Sequence, residues 1–404
     1  MSADEPSAAN KLWQTADSAG LDPAVEAYTV GSDIEDDQLL LGYDIQASRA
    51  HATMLQSIGI LTENELQQLL VVLKELLADW QQGAFTIKPG QEDGHTAIEQ
   101  YLVGKLGDTG KKIHAGRSRN DQALVMMRLY LKDQLQAANE LGGKVAKAFN
   151  EAAAKAGTTP MAGYTHMQKA MPTTIAMWLG SYADAFSDSR TVLAAALETI
   201  DQNPLGSAAG FGVSLPLDRE LTTKELGFKK VQDNPMYCGL SRGLFELIAV
   251  QALNPLMVLA GKFAHDVLLF TTEEFNFMSL PDSFTTGSSI MPHKRNYDVF
   301  EVMRGRANTF NGYATQLQSV ASGIGSGFQR DLQLTKHVTL IAFADAEATL
   351  GMLVQAVPQL KLNQANLEAS ITDDMHSVAE INRLVEQGMP FRDAYQQVKR
   401  KLSE

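Results

Sequence analysis

From Ser118 to Ala156 the chain runs about forty residues without a proline, and its apolar side chains recur at helical spacing throughout. The usual helix has about 11–12 residues. One of about forty spans about 60 Å, more than a compact domain built from this chain can cover. Its faces are therefore expected to bury against other copies, so the chain is expected to oligomerise. Pro160 ends the run, and four more long segments follow. They cover about Pro172 to Gln202, Gly239 to Thr272, the stretch from Pro292 to about Ser322, and Asp331 to about Gln355. Long helices joined by glycine- and proline-marked turns read as a bundle. The expected fold is mainly all-α, a central bundle of long helices with small domains at either end. The expected divisions are a mixed helical region over 1–110, the bundle over 111–357 and a small helical tail over 358–404. Upstream, "TENELQQLLVVLKELLADW" pairs Thr62 with Glu65 as a capping box before a leucine face. "GAFTIKPG" (83–90) reads as a small β excursion.

Composition excludes several classes. Of the 404 residues 45% are hydrophobic, enough for a packed interior, and the net charge of −13 argues against nucleic acid or an anionic membrane as partner. The single cysteine, Cys238, forbids an intrachain disulfide and fits a reducing, cytoplasmic setting. The acidic N-terminus has no apolar signal core. The most apolar window, Leu247 to Ala260, is broken by Gln251, Asn254 and Pro255, so no membrane span is expected. The eight histidines never pair at i,i+4 and no cysteine cluster exists, so no metal is expected. No phosphate-cradling glycine loop completes its spacing; "GIGSGF" (323–328) lacks the last glycine.

Four stretches gather small, polar and cationic residues at the mouths of long helices: "HAGRSRNDQ" (114–122), "GYTHMQKAMPTT" (163–174), "NPLGSAAG" (203–210) and "GSSIMPHKRN" (287–296). One of them alone would be an ordinary helix cap, and His166 alone a hydrogen-bonded structural histidine. All four on one helical chain read differently. Helix N-termini offer free N–H groups and a positive dipole end, and several meeting would bind a polycarboxylate.

These stretches resemble those of the fumarase/aspartase superfamily. The pattern G-S-S-x-M-P-x-K-x-N is matched from Gly287 to Asn296. "GRSRNDQ", "GYTHMQ" and "NPLGSAAG" are similar to those of the argininosuccinate lyase family. The resemblance runs from "KLW" at residue 11 to "GMPFRDAYQQV" at 388–398, and the tail after it looks shortened. It implies a five-helix central bundle, a homotetramer with a twenty-helix core, and active sites each built from three subunits. The implied enzyme is a carbon–nitrogen lyase of arginine biosynthesis that cleaves argininosuccinate to arginine and fumarate. The reaction is an anti β-elimination and needs no cofactor, because the substrate carboxylate is the electron sink. Other readings are a lyase splitting adenylosuccinate and a crystallin-like structural protein.

The resemblance implies catalytic roles for His166, Ser288, Lys294 and Glu301. Ser288, on a loop able to open and close, and His166, a residue type that titrates near neutral pH, divide the base and acid roles. The resemblance allows either order, and Ser288 as base with His166 as acid or acid relay is the favoured one, with Glu301 the histidine's carboxylate partner. Lys294 and Asn296 supply the cation and donor that a serine base needs. Substrate contacts are implied for Ser118, Asn120, Thr165, His95 and Thr96, with Gln333 and Lys336 near the arginine end. Arg117 and Arg119 are either anion contacts or structural ion partners. Two positions depart from the family: Tyr297 replaces a proline, and Phe328 replaces a tyrosine whose hydroxyl would bind substrate. The family's N-terminal substrate-binding serine finds no clear match around Thr29 to Ser32.

Overall fold

A computed structural model describes residues 22–88 and 90–403; "KLW" lies outside them. The helices in chain order are α1 (Pro23–Val30), α2 (Asp33–Ser57), α3 (Glu63–Gln81), α4 (Gly94–Leu106), α5 (Asp108–Lys111), α6 (Arg119–Ala156), α7 (Ile175–Ile200), α8 (Arg219–Glu225), α9 (Pro235–Leu240), α10 (Leu244–Phe270), α11 (Asp298–Ala321), α12 (Thr335–Ala356), α13 (Gln364–Ala369), α14 (Ser377–Glu386) and α15 (Phe391–Ser403). The fold is mainly helical, as expected. The proline-free run is one helix, α6, of 38 residues. The capping box is present: Thr62 Oγ1 accepts from Glu65 N–H, and Glu65 accepts from Thr62 N–H at 2.9 Å.

The chain forms two compact units. Of the described residues, the first comprises those within 22–137, 193–252 and 311–344; the second comprises those within 138–192, 253–310 and 345–403. In the first, α2 and α3 bury Leu41, Ile45, Leu55, Leu69 and Leu73 together with Ile98 and Leu102 of α4. In the second, Phe149, Phe186 and Phe263 are fully buried. Phe149 stacks on Phe186 at 5.7 Å and meets Phe263 edge-on at 4.8 Å, geometries that aromatic pairs favour.

Three local readings are corrected. Residues 84–88 form no strand. They carry no regular element and are held by the Gln38 side chain, which accepts from Ile87 N–H at 2.9 Å and donates to Phe85 O at 3.2 Å. Residues 160–174 are not the start of a helix at Pro172. They are an antiparallel hairpin, β1 (Pro160–Thr165) with β2 (Gln168–Thr174), and α7 begins only at Ile175. Last, α10 and the run Arg330–Gln359 are long and apolar enough to cross a membrane despite Pro255, yet 56% and 50% of their apolar windows are buried inside the chain. The remaining strands are two-residue pairs: β3 (Gln202–Asn203) with β4 (Lys230–Val231), β5 (Met278–Ser279) with β8 (Lys361–Leu362), and β6 (Thr286–Gly287) with β7 (Arg295–Asn296).

Candidate active site

The candidates fall into two groups. The first lines or borders a cavity of about 150 Å³ in the first unit, where His95, Asn120, Gln333 and Lys336 meet Arg119, Arg242 and Phe328. Local sequence explains the placement. Asp93 caps α4 by accepting from Thr96 N–H at 2.8 Å, which sets His95 and Thr96 in the first turn. Gly94 allows the close approach: its N–H donates to Asp37 at 2.8 Å, and a Cβ there would stand 3.2 Å from Leu41 Cδ1. Ser118 opens α6. Its hydroxyl accepts from Asn120 N–H at 3.3 Å, while Asp121 accepts from Ser118 N–H at 2.8 Å. The other Asp121 oxygen takes Gly206 N–H and Ala208 N–H, both at 3.0 Å. One carboxylate thus joins "GRSRNDQ" to "NPLGSAAG".

Two of the cations in this cavity, Arg119 and Lys336, are paired with carboxylates. Arg119 bonds Glu92 at 2.6 Å, Asp93 at 3.1 Å and Thr96 Oγ1 at 2.7 Å. Arg117 is buried and donates to Ser48 at 2.9 Å. Lys336 is buried between Asp33, at 2.9 Å, and Asp37. Burial pulls the Lys336 pKa down, but Asp37 and Asp33 outweigh it and the net direction is up. Burial raises Asp33, with Lys336 opposing. His95 Nδ1 lies 2.5 Å from Asp44. Gln333 donates to Thr29 O at 2.9 Å and Val30 O at 3.1 Å, tying down the end of α1. Phe328 lies under the Arg242 guanidinium at 4.6 Å, a cation–π contact.

The second group sits on two hairpins of the second unit. His166 and Met167 form the two-residue turn between β1 and β2, with φ of 52° and 62° and Thr165 paired to Gln168. Positive φ at both positions is what a type I′ turn requires. Non-glycine residues there store about 1–3 kcal/mol each, held in place by the strand pairs on either side of a register shift between Ala162 and Tyr164. His166 and Thr165 are thereby held exposed at the tip. In "GSSIMPHKRN", β6 and β7 close a loop over residues 288–294. Ser288 Oγ accepts from Ile290 N–H at 3.3 Å and Met291 N–H at 3.0 Å, and Lys294 N–H donates to Met291 O at 3.0 Å. Asn296 Nδ2 reaches Gly287 O at 3.5 Å. Tyr297 accepts from Leu280 N–H through its hydroxyl at 3.5 Å. Glu301 is exposed in the first turn of α11, and among the described residues no hydrogen bond or ion pair joins it to His166.

None of His166, Ser288, Lys294 and Glu301 lines the cavity of the first group. A second cavity in the first unit, of about 740 Å³ between Tyr43, Trp80 and Tyr130, holds no candidate. Among the described residues no group of three or more His, Cys, Asp and Glu side chains could hold a metal ion. Sequence reading missed the acidic side of the cavity. Asp33 and Asp37 line it and Asp44 is buried behind His95; the three fall at i, i+4 and i+11 on α2, among the buried Leu40, Leu41 and Ile45. Carboxylates sharing a helix face with core leucines were the signal.

The chain belongs to the lyase family, whose match covers residues 21–312 and runs through both hairpins and much of the cavity. Its relatives include the argininosuccinate lyase of Phocaeicola vulgatus, 42% identical over 96% of this chain and 87% of that protein. That of Thermotoga neapolitana is 40% identical over 97% of this chain and 98% of that protein, and that of Xanthomonas campestris pv. campestris is 43% identical over 96% and 89%. Solved structures agree on the fold. An EDDS lyase in complex with formate superposes with a TM-score of 0.77 at 25% identity, over 95% of this chain and 76% of that one. A class II fumarase from Schistosoma mansoni does so at 0.75 and 15% identity, over 93% and 91%.

Proposed function

We propose that the chain is an argininosuccinate lyase, releasing L-arginine and fumarate by cofactor-free β-elimination. The observation that carries this is identity of 40–43% to proteins of that name over 96–97% of the chain.

Ser288 removes the proton next to a succinyl carboxylate, and two backbone N–H groups already point at its Oγ. Donors to an oxygen favour its charged form, which is what a serine base needs. Lys294, on the same loop, holds the carboxylate as it gains charge. His166 protonates the leaving guanidino nitrogen, and its strained turn keeps the imidazole projecting. Glu301 supports that histidine from another copy. Ser118, Asn120, Thr165, His95, Thr96 and Asn296 take the succinyl end, and Gln333 and Lys336 the arginine end. The site is shared between copies of a cytoplasmic homotetramer. The length of α6 supports this, as do the exposed Met177, Val258 and Val302 on three other long helices.

The test is a substrate panel. Fumarate absorbance is expected to rise with argininosuccinate and to stay at baseline with adenylosuccinate. Release from adenylosuccinate alone would replace the assignment with the nucleotide-type lyase, and release from neither would leave the structural-protein reading.

A further inference from the structure

Asp44 is fully buried, at 0% exposure. One of its oxygens meets His95 Nδ1 at 2.5 Å, and the other has no hydrogen-bond partner among the described residues. A buried carboxylate costs free energy unless it is fully paired. An apolar residue would serve the packing of α2 against α4 at less cost, so Asp44 is poorly explained as core. Among the described residues its one hydrogen-bond partner is the histidine at the cavity wall, and the buried Arg117 interacts with Asp44 through charge without a hydrogen bond. With Nδ1 turned toward Asp44, the opposite ring nitrogen, Nε2, is the edge left for the cavity.

We propose that Asp44 is a positioning residue, holding the His95 imidazole by Nδ1 so that Nε2–H donates to a substrate carboxylate. A carboxylate on one ring nitrogen orients the ring and strengthens the other as a charged donor, the logic of histidine–carboxylate pairs elsewhere. The groups facing His95 favour that state on balance. Burial pushes its pKa down, but Asp44 and then Asp93 and Asp37 push it up, and the net direction is up. Glu92 lies on the same cavity wall. The cations around His95 are Arg119, Arg242, Arg330 and Lys336 on the cavity lining and the buried Arg117 just before α6, while His114, pushed down to about 4 by burial and by Arg117 and Arg119, is neutral over this range. Arg119 is itself paired to Glu92 and Asp93. As pH rises through the raised value, Nε2 loses its proton and a carboxylate then meets a lone pair. Substrate binding therefore weakens on the alkaline side.

The proposal rests on reading this cavity as the substrate site, and its test separates the two. KM and kcat for argininosuccinate are measured against pH in wild type, Asp44→Asn, His95→Gln and the double variant. Asp44→Asn is expected to raise KM about 10- to 100-fold, to change kcat far less, and to move the alkaline rise in KM to lower pH. In the His95→Gln background the same change should alter KM less than about twofold, because Asp44 acts through the histidine. A merely structural Asp44 would lower the unfolding midpoint and affect both backgrounds alike, which would overturn the proposal. So would Asp44→Asn with wild-type KM. Should Asp44→Asn not fold, wild type against His95→Gln decides. A KM–pH limb lost in His95→Gln supports the proposal, and superimposable profiles overturn it. Wild type releasing no fumarate would instead defeat the lyase reading.

Discussion

Ser288→Ala lowers kcat by about 10²–10⁴, the usual size of a general acid–base contribution, with little change in KM or unfolding midpoint. Ser288 sits in a loop closed by two-residue strands, with Ile290 and Met291 exposed beside it. Losing the hydroxyl removes no core contact. The N–H groups of residues 290 and 291 can turn to water, so the free-energy cost is small. Lys294 remains to hold the substrate carboxylate. A serine serving only as a local cap would behave in the opposite way, losing about 0.5–2 kcal/mol of stability at near-normal turnover. Measuring kcat, KM and midpoint on one preparation separates these outcomes. Near-normal kcat with a lowered midpoint would remove Ser288 from the mechanism.

Lys336→Met should have the largest effect on stability. The ammonium is buried between Asp33 and Asp37, which are themselves buried. Removing it leaves two carboxylates uncompensated, a loss of about 3–5 kcal/mol. The sign with pH follows. Burial already raises Asp33, and without the lysine it rises further. An acid whose folded pKa exceeds its unfolded value costs stability once the pH passes the unfolded value. The deficit of the variant should therefore be greatest at neutral pH and shrink on acidification. Midpoints of variant and wild type at pH 7 and pH 5 test this. A deficit independent of pH would place the cost in packing rather than in charge.

Helix existence was legible where periodicity was long. α6 follows from a proline-free run, and α3 from its capping box and leucine face. Hairpins were not legible, because their signals are short or atypical. The turn between β1 and β2 is His166–Met167, with none of the Asn-Gly or Gly chemistry that marks a type I′ turn. Pro172 imitated a helix start while lying in β2. The strands bounding "GSSIMPHKRN" have two residues each, too few for any period to show. Within the site, the family resemblance supplied Ser288, His166 and the cationic residues. The acidic partners Asp33, Asp37 and Asp44 lie on a helix face that binary patterning assigns to leucines. Tertiary pairing decides their role, and local pattern cannot show it.

In the proposed mechanism His166 and Ser288 act in sites assembled from several copies. His166→Asn suits the test, since asparagine tolerates the positive φ of residue 166. Purified His166→Asn and Ser288→Ala proteins should each release almost no fumarate from argininosuccinate. Dissociated together and reassembled, they should regain activity, because random mixing gives some sites a native His166 from one copy and a native Ser288 from another. Reassembly to full oligomers with no recovered activity, or sedimentation of the active wild type as a monomer, would contradict the shared site.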